Sequence, residues 1–280
     1  MARPGAERSA SSTVVRLAAV VCVLAGALTG CSGSSGPSGA LAQEPPRRAG
    51  AAYTLMQMNL CLSGLAGCYA KVAYPAVVAE AVALVRGAHP DAVTVNEACR
   101  GDAERIARQT GYHLRFTRVY YLGRPLPCVR PGGRGLFGIA VLTAAAVVGS
   151  EARDFAGQAG PERRRWLCVS TRAGVDVCTA HLDTRIPVEV AGNDAQCVEL
   201  AALLARRAAA RTVIFGGDVN RRRSCAPAGA WTRNDGSAGQ AAGLQHVYGS
   251  RALGSPSARV IPTTHTDHDV LLVRARLTPP

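Results

Sequence analysis

Residues 212–220 read TVIFGGDVN: the β-branched and apolar run Thr212–Phe215, two glycines, then Asp218, Val219 and Asn220. A run of this composition reads as a buried strand. Nothing in the packing of a buried strand calls for a carboxylate at its tip. The construction recurs along the chain. MQMN ends the strand candidate Tyr53–Leu60 near Asn59, AVTVNE ends on Glu97, VDVCTA runs into His181, and DVLLV is preceded by Asp267 and His268. Five strands that each carry an acid, an amide or an imidazole at one end point to convergence on a single pocket.

Working outward, further strands read at Ala92–Asn96, His113–Tyr121, Ile139–Leu142, Trp166–Ser170, Val175–Ala180 and Val270–Leu277. Pro75 to Arg86 reads as a largely buried helix, with proline in its first turn and Gly87 just past its end. Asp102–Gln109 reads as a second helix with an acidic N-cap. A third is capped by Asn193 and runs to about Ala209, with Val198, Leu200, Ala201, Leu203 and Leu204 as its apolar face. Strands and helices alternate irregularly, with hairpins between. That order favours a layered mixed-sheet α/β or α+β fold over a regular βαβ series.

The 280 residues suit one large domain or two small ones, and 48% are apolar, enough for a core. The one long apolar run lies near the N-terminus, which excludes a polytopic membrane protein. There Arg3, Arg8 and Arg16 precede the short apolar run Leu17–Leu28. The run ends in Leu28-Thr29-Gly30-Cys31, which resembles a bacterial lipobox. The expectation is a signal peptide over residues 1–30, lipid on Cys31, a Gly/Ser/Pro tether over 31–50, and a folded domain over 51–280. The chain would then be exported and anchored by lipid on the outer face of the cell membrane.

The net charge is +13; cleavage before Cys31 removes three arginines and Glu7 and leaves +11. Lys71 is the single lysine. The arginine excess therefore reads either as codon bias or as the mark of an anionic partner. Eight cysteines remain in the folded domain, an even number that fits disulfides in an oxidising compartment. They can pair in about a hundred ways. Cys61 and Cys68 would close a short loop, and Cys168 and Cys178 would face each other across a hairpin at Arg172–Gly174. Cys99–Cys128 and Cys197–Cys225 would complete the set. No pair has the spacing of a zinc site.

The acids at the strand tips, Glu97, Asp218 and Asp267, are hard oxygen donors, and Asn59 and Asn220 add carbonyl oxygens. Such a set suits Mg²⁺, which is held by few carboxylates and shares its shell with water and phosphate. His181 and His268 would supply proton transfer or charge stabilisation on a phosphoryl group.

These motifs, taken in order, resemble the endonuclease/exonuclease/phosphatase superfamily, which includes pancreatic-type deoxyribonucleases and abasic-site endonucleases. The resemblance runs from about Tyr53 to the C-terminus. It rests on Met58-Asn59-Leu60, PDAVTVNE ending in Glu97, GLFGIAVLT at Gly135–Thr143, ERRRWL, AHLDT around His181, GDVN at Gly217–Asn220 and TDHD at Thr266–Asp269. It implies a four-layered α/β sandwich, two mixed sheets face to face with helices outside, and a metal-dependent phosphoester hydrolase. It further implies metal binding by Glu97 with Asn59 and Asp267, and Mg²⁺ as cofactor with Mn²⁺ or Ca²⁺ as alternatives. His181 would contact the scissile phosphate, Asp218 would orient or activate water, and Asn220 would fix both. His268 would act as general base or stabilise the transition state, and Arg164 would be a phosphate contact.

One position departs from the family pattern. Gln245 stands where the family carries an aspartate bonded to its last histidine. A glutamine can still accept a hydrogen bond from His268 but cannot stabilise an imidazolium as a carboxylate does. Asp235 or Asp269 could substitute, and Gln245→Asp would be expected to raise activity. Among other polar residues, His246 and His265 read as surface or loop groups and Asp269 as bonded to backbone. Asp183 reads equally as a solvated turn residue. The arginine runs 163–165 and 221–223, with Arg206, Arg207 and Arg211, favour a monomeric nuclease of weak sequence specificity acting on DNA or RNA. The alternatives are a phospholipid or small-phosphoester hydrolase, and a catalytically impaired module that binds polyanions.

Overall fold

The computed structural model describes residues 49–278. The signal segment, Cys31 and the tether up to residue 48 lie outside the described residues. β1 (Ala52–Asn59), α1 (Ala76–Ala88), β2 (Ala92–Cys99) and α2 (Arg100–Thr110) open the domain. β3 (His113–Arg118), the two-residue β4 (Tyr120–Tyr121) and β5 (Arg124–Pro125), and β6 (Phe137–Thr143) complete its first half. The second half runs through β7 (Val147–Asp154), the short β8 (Glu162–Arg163), β9 (Arg165–Thr171), β10 (Val175–Ala180) and α3 (Val190–Ala208). It ends with β11 (Thr212–Asp218), β12 (Trp231–Asn234), β13 (Gln245–Gly249), β14 (Leu253–Ile261) and β15 (Val270–Leu277).

One sheet has the order β14-β15-β1-β2-β6-β3, the other β12-β13-β11-β10-β9-β7, and β5-β4-β8 form a small third sheet. Each large sheet holds one parallel pair at its centre, β1 with β2 and β10 with β11. The large sheets pack face to face, Leu55, Val141 and Val273 of the first meeting Val169, Val177 and Ile214 of the second. α1 and α2 cover the outer face of the first sheet, setting Val78, Val82 and Ile106 among Met56, Met58 and Val95. α3 covers the second sheet with Leu200, Leu203 and Leu204 near Phe215 and Tyr248. The result is the mixed four-layered sandwich that the resemblance implied.

Central strands are covered on both faces, so they read as near-continuous apolar runs. Gly216 sets how closely the sheets approach beside the pocket. A Cβ there would lie 2.4 Å from Thr94 Oγ1 and 2.8 Å from Leu55 Cδ2, both on the facing sheet. All four disulfides join the pairs read from the sequence: Cys61–Cys68, Cys99–Cys128, Cys168–Cys178 and Cys197–Cys225. Cys168 and Cys178 sit directly opposite each other in the β9–β10 ladder.

Several local expectations change. Asp102 is not a cap; it lies in the first turn of α2, buried, with its carboxylate on Arg134 at 2.9 Å. Gly87 falls inside α1, which stops at His89 in the left-handed region. Asn193 sits in the first turn of α3 rather than at its cap, and Val198 is 72% exposed, off the apolar face. Arg207 and Arg211 are engaged within the fold. They clamp the buried Asp176 at 2.9 and 2.5 Å, at the end of β10 away from His181.

Candidate active site

The chain leaves the ends of β1, β2, β10 and β11 on one edge of the sandwich, and the loop before β15 joins them. There the structure brings together Asn59, Glu97, His181, Asp218, Asn220, Asp267 and His268. The Asn59 amide nitrogen bridges two carboxylates, donating to Glu97 Oε1 at 2.9 Å and to Asp218 Oδ2 at 3.0 Å. Its carbonyl oxygen accepts from the Cys61 N–H at 3.1 Å. Asn59 thus aims acids rather than offering an oxygen of its own, a narrower role than the metal ligand expected. The His181 ring lies 3.8 Å from Glu97 and 4.0 Å from Asp218; His268 lies 3.7 Å from Asp218 and 4.0 Å from Asp267. Glu97 and Asn220 both hold positive φ, at 53° and 52°. Side-chain-bearing residues adopt that region at a cost, and it recurs where function dictates geometry.

Beneath this ring of groups lies a buried amide network that the strand pattern did not reveal. Asn96 Oδ1 accepts the Asp218 N–H at 2.7 Å and the Gln57 amide at 2.8 Å, while its nitrogen donates to Ala180 O at 3.2 Å. Thr94 donates to Gln57 at 2.6 Å. The network ties both sheets to the backbone of Asp218. An amide inside AVTVNE was its only sequence signal.

Arg164 is the buried arginine of its run and faces His181 directly. Its guanidinium donates to His181 Nδ1 at 3.0 Å and is held by Glu162 at 2.7 Å and Asp183 at 3.2 Å. Asp183 is therefore a buried anchor and not a turn residue in solvent. Arg163 and Arg165 turn aside to Asp154. A guanidinium can only donate, so Nδ1 accepts and the neutral ring carries its proton on Nε2. Burial, aided by the Arg164 charge, pushes His181 down to about 3, so the ring is neutral at ordinary pH. Its Nε2–H meets the Asn220 amide nitrogen donor to donor at 3.0 Å, and that nitrogen spends one hydrogen on Leu182 O at 2.9 Å. An anion's oxygen placed between them would relieve that opposition by accepting from Nε2–H and from the second amide hydrogen.

The acids differ in character. Burial pushes Glu97 up to about 7, with further repulsion from Glu162 and Asp218, against the hydrogen bond from Asn59. Burial also works against Asp218, yet the His181 and His268 rings, the Asn220 N–H and the Asn59 amide together hold it below the usual carboxylate range. With His181 neutral, the Asn220 N–H and the Asn59 amide are the donors that favour the ionised carboxylate. Asp267 keeps one buried oxygen without a hydrogen-bond partner. A reluctant carboxylate and an orphaned carboxylate oxygen on one wall fit a hard divalent cation. Among the described residues, Cys61, Cys68 and Asp267 are the group whose potential ligand atoms lie within 4.8 Å of one another. The two sulfurs are spent on each other, so the disulfide walls the acid site instead of ligating. Cys68 Sγ comes within 3.8 Å of Glu97 Oε2.

Gln245 opens β13 opposite Asp218 in register but does not reach His268. Its amide donates to Asp269 O at 2.5 Å and Asp235 Oδ2 at 3.3 Å, and its oxygen accepts from Gln57 at 3.3 Å. No acid replaces it: Asp269 holds the backbone of Thr263 and Gln240, Asp235 that of Gly243. His268 Nδ1 is buried and unpartnered. The expectation for Gln245→Asp therefore reverses. The variant sets a second buried carboxylate beside Asp235 and should lose about 3 kcal/mol in urea unfolding, without a gain in turnover. A rise in turnover at intact stability would show that position 245 does serve His268. His246 is likewise no surface residue. It is 1% exposed, edge-on to Tyr248, and its Nε2 bonds the Arg221 carbonyl at 2.9 Å.

Residues 66–268 match the family described as Endonuclease/Exonuclease/phosphatase family. No curated protein matches the chain by sequence. Among solved structures, the human Nocturnin catalytic domain with bound sulfate is 14% identical with a TM-score of 0.64, covering 81% of this chain and 94% of that one. An endonuclease/exonuclease/phosphatase from Beutenbergia cavernae is 18% identical with a TM-score of 0.59, covering 82% and 72%. TDP2 from D. rerio in complex with a single-strand DNA product is 12% identical with a TM-score of 0.53, covering 80% and 99%. At these identities the likeness is one of fold.

Proposed function

Since this chain belongs to the endonuclease/exonuclease/phosphatase family, we propose that it is an exported, divalent-metal-dependent phosphodiesterase that cuts nucleic-acid strands with little sequence preference. The observation that carries this is the junction of Asp218, held ionised, with the paired donors of His181 and Asn220 on one side and Glu97 and Asp267 on the other. Glu97 and Asp267 would hold the cation, Mg²⁺ by the chemistry of its donors, with Asn59 aiming Glu97. When bound, the cation neutralises charge on the scissile phosphate. Asp218 takes the proton of the attacking water. His181 Nε2–H and Asn220 donate to the phosphate oxygens, and Arg164 fixes the His181 ring for that task. His268 faces Asp218 from the far side and stabilises the charged phosphoryl group. The TDP2 relative was solved with single-strand DNA, which supports a strand as substrate here.

The test is incubation of the full-length protein with plasmid DNA, total RNA and bis-(p-nitrophenyl) phosphate, each with Mg²⁺, Mn²⁺ or EDTA. Cutting of DNA or RNA that EDTA abolishes is the expected result. Hydrolysis of the small diester alone, or turnover indifferent to EDTA, overturns it. Export through lipid on Cys31 accords with eight cysteines closed in four disulfides. Palmitate labelling should be lost in Cys31→Ser, and labelling that survives would remove the anchor.

A further inference from the structure

The residues after Asn220 line an arginine-rich cleft. A cleft of about 500 Å³ adjoins the catalytic centre, lined by Arg185, Asp194, Asn220, Arg221, Arg222, Arg223 and Leu244. Asn220 is the shared wall, since its side chain also touches the His181 ring at 3.0 Å. Four guanidiniums face one carboxylate. Arg185 and Arg221 share Asp194, at 2.7 and 2.8 Å. Arg222 and Arg223 are exposed and make no ion pair among the described residues. Other arginines from the chain's basic runs are neutralised internally: Arg163 and Arg165 by Asp154, Arg207 and Arg211 by Asp176. Arg206 is exposed on α3, so Arg222 and Arg223 are the adjacent pair of exposed arginines in these runs that lines a cleft beside the site.

The cleft is also built rigidly. Its loop leaves β11 at Asp218 and is tied to α3 by Cys197–Cys225. His246 bonds the Arg221 carbonyl at 2.9 Å. The stem of Arg222 lies against Gly243, where even a Cβ would come within 3.1 Å of Arg222 Cγ. A backbone fixed in this way presents the arginines at one place, and their guanidiniums suit phosphate oxygens.

We infer that this cleft binds the phosphate next to the scissile one, so that the enzyme prefers a polynucleotide strand to an isolated phosphodiester. The inference rests on the phosphodiesterase reading and extends it to the substrate. A strand supplies such a phosphate at every nucleotide, and a cleft of this volume admits the adjoining nucleotide. Two free arginines without a base-reading motif give strand preference without sequence preference.

The test compares a dinucleoside monophosphate, which has only the scissile phosphate, with trinucleoside diphosphates that add one neighbour. The protein is full length, wild type, the double variant Arg222→Glu/Arg223→Glu, and the conservative Arg222→Lys/Arg223→Lys. The ratio of kcat/KM for trinucleotide over dinucleotide should fall about tenfold or more in the glutamate variant and recover in part in the lysine variant. The salt dependence of that ratio should flatten as well. An unchanged ratio overturns the subsite. If wild type turns over none of these, the activity reading has failed, and fluorescence anisotropy with a phosphorothioate oligonucleotide then decides the subsite. Binding that the glutamate variant weakens tenfold keeps it; equal binding removes it.

Discussion

Asp218→Asn should lower kcat on a phosphodiester about a thousandfold or more, with the four disulfides and the far-ultraviolet spectrum kept. The side chain is 1% exposed, and the neighbouring histidine rings, the Asn220 N–H and the Asn59 amide hold it below the usual carboxylate range against the cost of burial. An asparagine has the same shape but cannot accept a proton from water. Its amide would also meet the Asn59 amide, donor to donor, so the Asn59 bridge to Glu97 loosens as well. Some stability is lost through that clash, and a control separates it from chemistry. Asp176→Asn releases Arg207 and Arg211 at the far end of β10. It should cost comparable stability while leaving kcat within a few-fold. Turnover of Asp218→Asn within tenfold of wild type would remove Asp218 from the proton-transfer role.

The sequence displayed the site where a polar residue interrupts an apolar strand, because burial makes such a residue conspicuous. Glu97 after AVTVN and Asp218 after TVIFGG are of that kind. What pattern cannot carry is the direction of a side chain. Asn59 looks like a carbonyl donor but turns its nitrogen to the acids, since Cys61 N–H claims its oxygen. Gln245 occupies the expected register yet spends its groups on Asp235, Asp269 and Gln57. The arginine runs are alike on paper and differ in fate. Arg207 and Arg211 are consumed by Asp176, thirty-odd positions away in sequence, while Arg222 and Arg223 meet no acid among the described residues. Edge strands were also hard to read. β7 carries VVGSEARD and β14 LGSPSARVI, mostly exposed or half-buried, so neither shows a continuous apolar run. Cys61–Cys68 was readable as a pair but not as the wall of the acid site, because its closeness to Asp267 is long-range.

In EDTA, Glu97→Gln should be more stable than wild type by roughly 3 kcal/mol at pH 8 and equal to it near pH 4. The folded protein raises Glu97 from an ordinary 4.5 to about 7. Between those values the folded state binds a proton that the unfolded chain has lost. Stability from this group is therefore full below 4.5 and is lost as pH rises through 7. Glutamine imitates the protonated acid and removes the dependence. The total curve hides this, because His181 acts in the opposite sense over much of the same range. Its folded value of about 3 lies below the ordinary 6.5, so its contribution is present above 6.5 and is lost as pH falls. The difference between wild type and Glu97→Gln is thus the quantity to measure, by urea unfolding at each pH. Mg²⁺ at a hundred times its Kd should then stabilise wild type by about 2.7 kcal/mol at pH 8 and the variant far less. On the proposed role, Glu97 would ionise when the cation binds, which would account for an acid so poorly compensated among Glu162 and Asp218. If Mg²⁺ stabilises both proteins equally, Glu97 is not a ligand and its burial has another cause.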